Sequence, residues 1–167
     1  MNRIDIRDLL ARPGASRTER VNEPVPGLRL GLAFVPEDAP VSGDLLLEHV
    51  VEGVLVSGSL RGTLALSCAR CLREFEEPFT VEVRELFSQG AGPDGEEYPI
   101  SAEGTVDVEP MVRDAVILAL PFSPLCRPDC LGLCERCGGD RNLGECTCSP
   151  EAADPRWAAL DRLFQQL

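Results

Sequence analysis

The chain has 167 residues with 28 acidic and 16 basic side chains, for a net charge of −12. Its apolar share of 44 % with only 5 % aromatics allows one Leu- and Val-rich core and a small appended module. Every cation is arginine and none forms a basic run, which argues against a non-specific, charge-driven nucleic-acid binder.

The opening residues carry no long apolar stretch, and no segment approaches the ~20 apolar residues that span a bilayer. A cytoplasmic protein is expected. Ile6, Leu9 and Leu10 predict a short helix over residues 4–11, stopped by Pro13 and Gly14. Residues 15–27 are polar, punctuated by proline and read as extended. From 28 to 66 the pattern is β. Val54, Val56, Leu60, Leu64 and Leu66 share one parity, while Ser57, Ser59, Arg61, Thr63 and Ser67 take the other, as in a half-buried strand. Gly53, Gly58 and Gly62 read as turns or bulges within it. Phe79, Val81 and Val83 alternate with Thr80, Glu82 and Arg84 in a further strand, so Cys68-Ala-Arg-Cys71 falls at a hairpin turn. His49 lies in a β segment and reads as a sheet residue.

Residues 88–105 read as a flexible acidic loop, six acids and no base falling between 88 and 109. Residues 106–120 form the strongest helix, with Pro110 near its start and Asp107 and Glu109 at its positive end. Met111, Val112, Ala115, Val116, Leu118 and Ala119 give it a broad apolar face. Pro121 and Pro124 end it. After the cysteines, Asp154-Pro155 opens a short terminal helix whose stripe is Trp157, Leu160, Phe164 and Leu167. The expected fold is α+β. A mainly antiparallel sheet with one packed helix fills residues 1–121, and a cysteine-rich zinc module with a terminal helix fills 122–167.

Six of eight cysteines fall between Cys126 and Cys148. In a reducing compartment such C-x-x-C pairs point to metal rather than to disulfides. Two sulfurs on one tight turn reach a single tetrahedral ion, and a glycine after the second cysteine, as in Cys137-Gly138, lets the turn reverse. The simplest partition gives Cys134, Cys137, Cys146 and Cys148 one zinc, and Cys68, Cys71, Cys126 and Cys130 a second. Cys126, Cys130, Cys134 and Cys137 could also close one site. Both zincs read as structural, because a catalytic zinc keeps an open position and a general base. The alternative is a thiol-redox protein or metalloenzyme acting through Cys68 and Cys71, although the motif lacks the strand-to-helix setting such chemistry uses.

Three stretches carry a family resemblance: L-A-L-S-C-A-R-C-L-R-E-F-E-E-P-F (64–79), V-D-V-E-P-M-V-R-D-A-V-I-L-A-L-P (106–121) and P-L-C-R-P-D-C-L-G-L-C-E-R-C-G-G-D-R-N-L-G-E-C-T-C (124–148). With them the chain resembles the YceD family, the large ribosomal RNA subunit accumulation proteins. The resemblance implies a non-enzymatic factor for accumulation or processing of 23S ribosomal RNA and for large-subunit assembly. The implied partners are large-subunit ribosomal RNA precursor, a large-subunit ribosomal protein, or both, with no membrane and no small-molecule substrate. If RNA is touched, the candidates are Arg61, Arg70, Arg73 and Arg84 around the hairpin and Arg127, Arg136 and Arg141 on the cluster.

Overall fold

A computed structural model describes residues 3–89 and 98–148. Its organising element is β6 (Gly53–Ser67), where Val54, Val56, Leu60, Leu64 and Leu66 all face the core. Ahead of it in the chain come β1 (Ile4–Asp5), α1 (Arg7–Leu10), β2 (Ser16–Pro24), β3 (Arg29–Leu30), β4 (Ala33–Phe34) and β5 (Pro40–Val50). After it come β7 (Glu74–Ser88), β8 (Tyr98–Pro99), β9 (Thr105–Val106) and α2 (Glu109–Ala119).

On one side β6 pairs with β5 along Gly53–Arg61 and with β4 at Ala65 and Leu66, while β7 pairs along its whole length on the other. These pairings are antiparallel; β8 joins β7 in parallel at Phe87 and Ser88. The outer strand on the β5 side is β2. Alternation chose the inward face correctly, and Val41, Leu45 and Leu47 of β5 meet Val83 and Phe87 of β7 in one core.

Gly58 and Gly62 correct the sequence reading. Both lie inside an unbroken ladder, not at turns or bulges. A Cβ on Gly58 would stand 2.4 Å from the Asp44 carbonyl oxygen, and one on Gly62 would stand 2.7 Å from the Phe79 ring. They let neighbouring chains approach closely on the inward parity, a role alternation does not reveal. Gly53 does follow the Val51–Glu52 turn, with φ 153°.

The first segment also differs. Ile4 and Asp5 pair with Val106 and Thr105, which leaves α1 a single turn. Helix α2 is shorter than its apolar pattern because Asp107 accepts from the Glu109 N–H (3.0 Å) and Pro110 enters the first turn. Met111, Val112 and Val116 are buried, whereas Leu118 is 86 % exposed and lies off the packed face. Part of the expected flexible loop is ordered: Tyr98–Pro99 joins the sheet, and Ser101 bonds Thr105 through side chain and backbone. Residues 90–97 of that loop and the expected terminal helix lie outside the described residues. Among the described residues, no helix is long and apolar enough to cross a membrane.

Candidate metal centres

The β6–β7 hairpin turns through Cys68–Arg73, at the far end of the sheet from Gly53. Its backbone closes twice, through Leu72 N–H to the Cys68 carbonyl (2.9 Å) and Cys68 N–H to the Arg73 carbonyl (2.9 Å). The turn at Cys134–Gly139 repeats this pattern. Gly138 N–H reaches the Cys134 carbonyl (2.8 Å), and Cys134 N–H reaches the Gly139 carbonyl (2.9 Å). The residue after the second cysteine is left-handed in both, with φ 72° at Gly138 and φ 60° at Leu72. Leucine in that region costs roughly 1–2 kcal/mol relative to ordinary helical backbone, so the first turn holds a conformation its own sequence resists.

The thiols assemble as two groups of four. Cys68, Cys71, Cys126 and Cys130 form one, and Cys134, Cys137, Cys146 and Cys148 the other, with all sulfurs in each group within 4.8 Å of one another. The alternative set spanning Cys126 to Cys137 is not brought together. In the first group, Cys68 and Cys130 sulfurs are 3.8 Å apart and those of Cys71 and Cys126 are 3.7 Å apart. A disulfide needs about 2.05 Å. Four sulfurs at ~2.3 Å around a tetrahedral zinc stand ~3.8 Å apart, so the donor set fits one such ion. Each group could hold one metal ion.

Electrostatics within the groups point the same way. Burial raises the Cys68 thiol, but N–H groups of Cys126, Cys71 and Arg70 outweigh it and bring the thiol down to about 6. The Arg70 N–H stands 3.4 Å from that sulfur. Cys134 is likewise lowered to about 6 by the Cys137 and Arg136 N–H groups. Burial and the neighbouring thiols push Cys126 up to about 12, while Cys137 and Cys146 with burial push Cys148 up to about 12. Each group thus sets one lowered thiol beside raised ones, Cys71 and Cys126 in the first and Cys146 and Cys148 in the second, and a divalent cation is what would let the raised thiols ionise.

Several contacts join the groups. The Arg70 carbonyl accepts from Leu133 N–H (3.0 Å), and the Gly132 carbonyl accepts from Arg141 N–H (3.0 Å). Asn142, in the loop between Cys137 and Cys146, donates through Nδ2 to Cys130 Sγ (3.5 Å) and to Asp140 Oδ1 (2.6 Å). Its Oδ1 accepts from Arg127 Nη2 (2.7 Å) and from Leu131 N–H (2.8 Å). A loop of the second group thus supports a sulfur of the first. Thiol spacing gives no sign of this; the only local hint is Asp140 two residues before Asn142, an Asx-turn composition.

The seven candidate arginines are all exposed. Arg70 donates to the Cys130 carbonyl (2.8 Å), Arg73 stands 3.9 Å from Asp140, and Arg127 bonds Asn142 and stands 3.4 Å from Asp129. These three tie the cysteine region together. Arg61 and Arg84 lie on β6 and β7, and Arg136 and Arg141 on the second group's loop. His49 belongs to neither thiol group; its Nδ1 faces the Arg12 carbonyl at 3.1 Å.

No solved structure matches the chain. An uncharacterized protein of Mycobacterium tuberculosis is 40 % identical over 94 % of this chain and 78 % of its own length. YlbN of Bacillus subtilis is 28 % identical over 65 % of this chain and 64 % of its own length. The chloroplastic large ribosomal RNA subunit accumulation protein YCED homolog 1 of Arabidopsis thaliana is 31 % identical over 37 % of this chain and 19 % of its own length. The family described as large ribosomal RNA subunit accumulation protein YceD matches residues 56–164, a span that holds both thiol groups. The chain belongs to the YceD family.

Proposed function

We propose that this protein is a cytoplasmic, non-enzymatic factor that promotes accumulation or processing of 23S ribosomal RNA and assembly of the large ribosomal subunit, with two structural zinc ions. The observation that carries the reading is the family match over 56–164 together with two closed four-thiol groups inside it. Each ion takes four protein sulfurs and leaves no position for substrate, so it supplies rigidity and not Lewis-acid chemistry. Cys68, Cys71, Cys126 and Cys130 would hold the first zinc, and Cys134, Cys137, Cys146 and Cys148 the second.

The direct contact is with large-subunit ribosomal RNA precursor or a large-subunit ribosomal protein, or both. RNA contact would fall on Arg61, Arg84, Arg136 and Arg141, with Arg70, Arg73 and Arg127 at the joint between the thiol groups. A redox role for Cys68 and Cys71 is disfavoured, because both sulfurs are buried and turned into a four-thiol group.

The test is a strain lacking the protein. The ratio of large- to small-subunit ribosomal RNA should fall and large-subunit precursors should rise, with recovery from the intact gene. An unchanged ratio contradicts the proposal.

A further inference from the structure

The sheet has two long outer strands, and they treat charge differently. On β2, Arg17 pairs with Asp8 and Glu19, and Arg20 pairs with Asp44. On β7, the only partner strand on the outer side among the described residues is β8, which takes Phe87 and Ser88. From Glu74 to Leu86 that edge is open among the described residues. Glu74, Glu76, Glu77, Glu82 and Glu85 line the strand against its single cation Arg84, and none of the five forms an ion pair among the described residues.

Beside this edge runs a groove of about 370 Å³ between β7 and α2. Val81, Val83, Met111, Ala115 and the exposed Leu118 form its apolar part, and Glu82, Glu85 and Asp114 its acidic rim. Pro78 carries no N–H, so a continuous run of donors and acceptors begins only at Phe79. Phe79–Leu86 is therefore the stretch able to accept another strand, and it is the stretch that borders the groove.

The charge decides between occupants. A second copy would lay the same glutamates against themselves, and like charges facing across strands are destabilising. RNA laid along this edge would bring phosphates to a row of carboxylates; Arg84, opposite in parity to the buried Val83, would meet RNA only from the outer sheet face. A basic strand would gain backbone hydrogen bonds, charge complementarity and a slot for an apolar side chain.

We propose that β7, from Phe79 to Leu86, is a docking edge for an extended basic segment of a partner protein, with an apolar side chain of that segment seated between β7 and α2. This goes beyond the ribosomal RNA reading and does not depend on the metal centres.

The test uses the full chain and a fluorescein-labelled dodecapeptide of alternating lysine and valine, followed by fluorescence anisotropy. Saturable binding is expected that weakens at least tenfold in Glu82→Arg/Glu85→Arg, and also in Leu118→Asp. These positions are exposed or rim the groove, and circular dichroism checks that each variant is folded. A peptide with N-methylated alternate residues keeps its charge but cannot donate along the edge, so it should bind at least tenfold more weakly to the unaltered chain. The proposal is overturned if the methylated peptide binds as well, if a glutamate-valine peptide binds equally, or if the lysine-valine peptide does not bind. It is also overturned if the chain dimerises through this edge, or if a dodecauridylate competes for it. Ribosomal RNA ratios in the deletion strain are unaffected by any of these results, so the two readings fail separately.

Discussion

The two thiol groups use the same turn but do different structural work. The first joins a hairpin to a segment 55 residues later, since Cys71 meets Cys126, and its sulfurs are largely buried. The second draws all four cysteines from 134–148, and Cys137 and Cys148 are exposed. A crosslink over the longer loop removes roughly 4 kcal/mol of denatured-chain entropy on the loop-closure estimate. The local group closes a loop of about a dozen residues, worth roughly 3 kcal/mol on the same estimate, and it orders only its own segment. With an ion in each, identical thiol sets on identical turns would make one clamp and one staple. Sequence separation and burial set the difference.

The largest effect should come from breaking the clamp. Cys130→Ser should lose one of two metals and lower stability by about 3 kcal/mol or more, roughly 10 °C in Tm. Hydrogen exchange should speed up at both Cys68–Arg73 and 124–133, as read by mass spectrometry. Cys146→Ser should also lose one metal, yet cost only about 1–2 kcal/mol, with faster exchange confined to 134–148. Equal losses from the two variants would erase the distinction.

Asn142→Ala probes how separate the groups are. It should keep both metals but weaken the first group roughly tenfold, within the range seen when outer-shell partners of metal ligands are removed. Competition with a chromophoric chelator measures this, and an unchanged affinity would make the Asn142–Cys130 contact incidental. The smallest effects fall on the turns. Leu72→Gly should raise stability by up to about 1 kcal/mol, and Gly138→Ala should lower it by about 1 kcal/mol, because both positions are left-handed. Denaturant midpoints of the two variants should move in opposite directions. Like shifts would mean that the turns differ in more than sequence.

Much of this architecture can be read from residue types alone. Alternation in Val54–Leu66 and Phe79–Val83 identifies the strands and their inward faces, because burial on one side forces a period of two. The C-x-x-C spacing points to the thiol groups, because a tight turn can aim two sulfurs at one ion. What stays hidden depends on three-dimensional approach. Gly58 and Gly62 fit as turns by composition, yet their reason is a neighbouring carbonyl and the Phe79 ring. Leu72 in the left-handed region runs against its own preference and is imposed by the knuckle around it. Asn142 reaches Cys130 only because the second loop folds over the first, and the open acidic edge of β7 exists only once strand order is known.

Eight thiols in two groups of four would make two closed metal centres with none left over. Native mass spectrometry of the full chain, purified under reducing conditions without added metal and paired with thiol labelling, tests it most directly. The expected result is two zinc ions per chain and no labelled cysteine until a chelator strips them. One zinc or none, with Cys68 or Cys71 labelling rapidly before chelation, would contradict it.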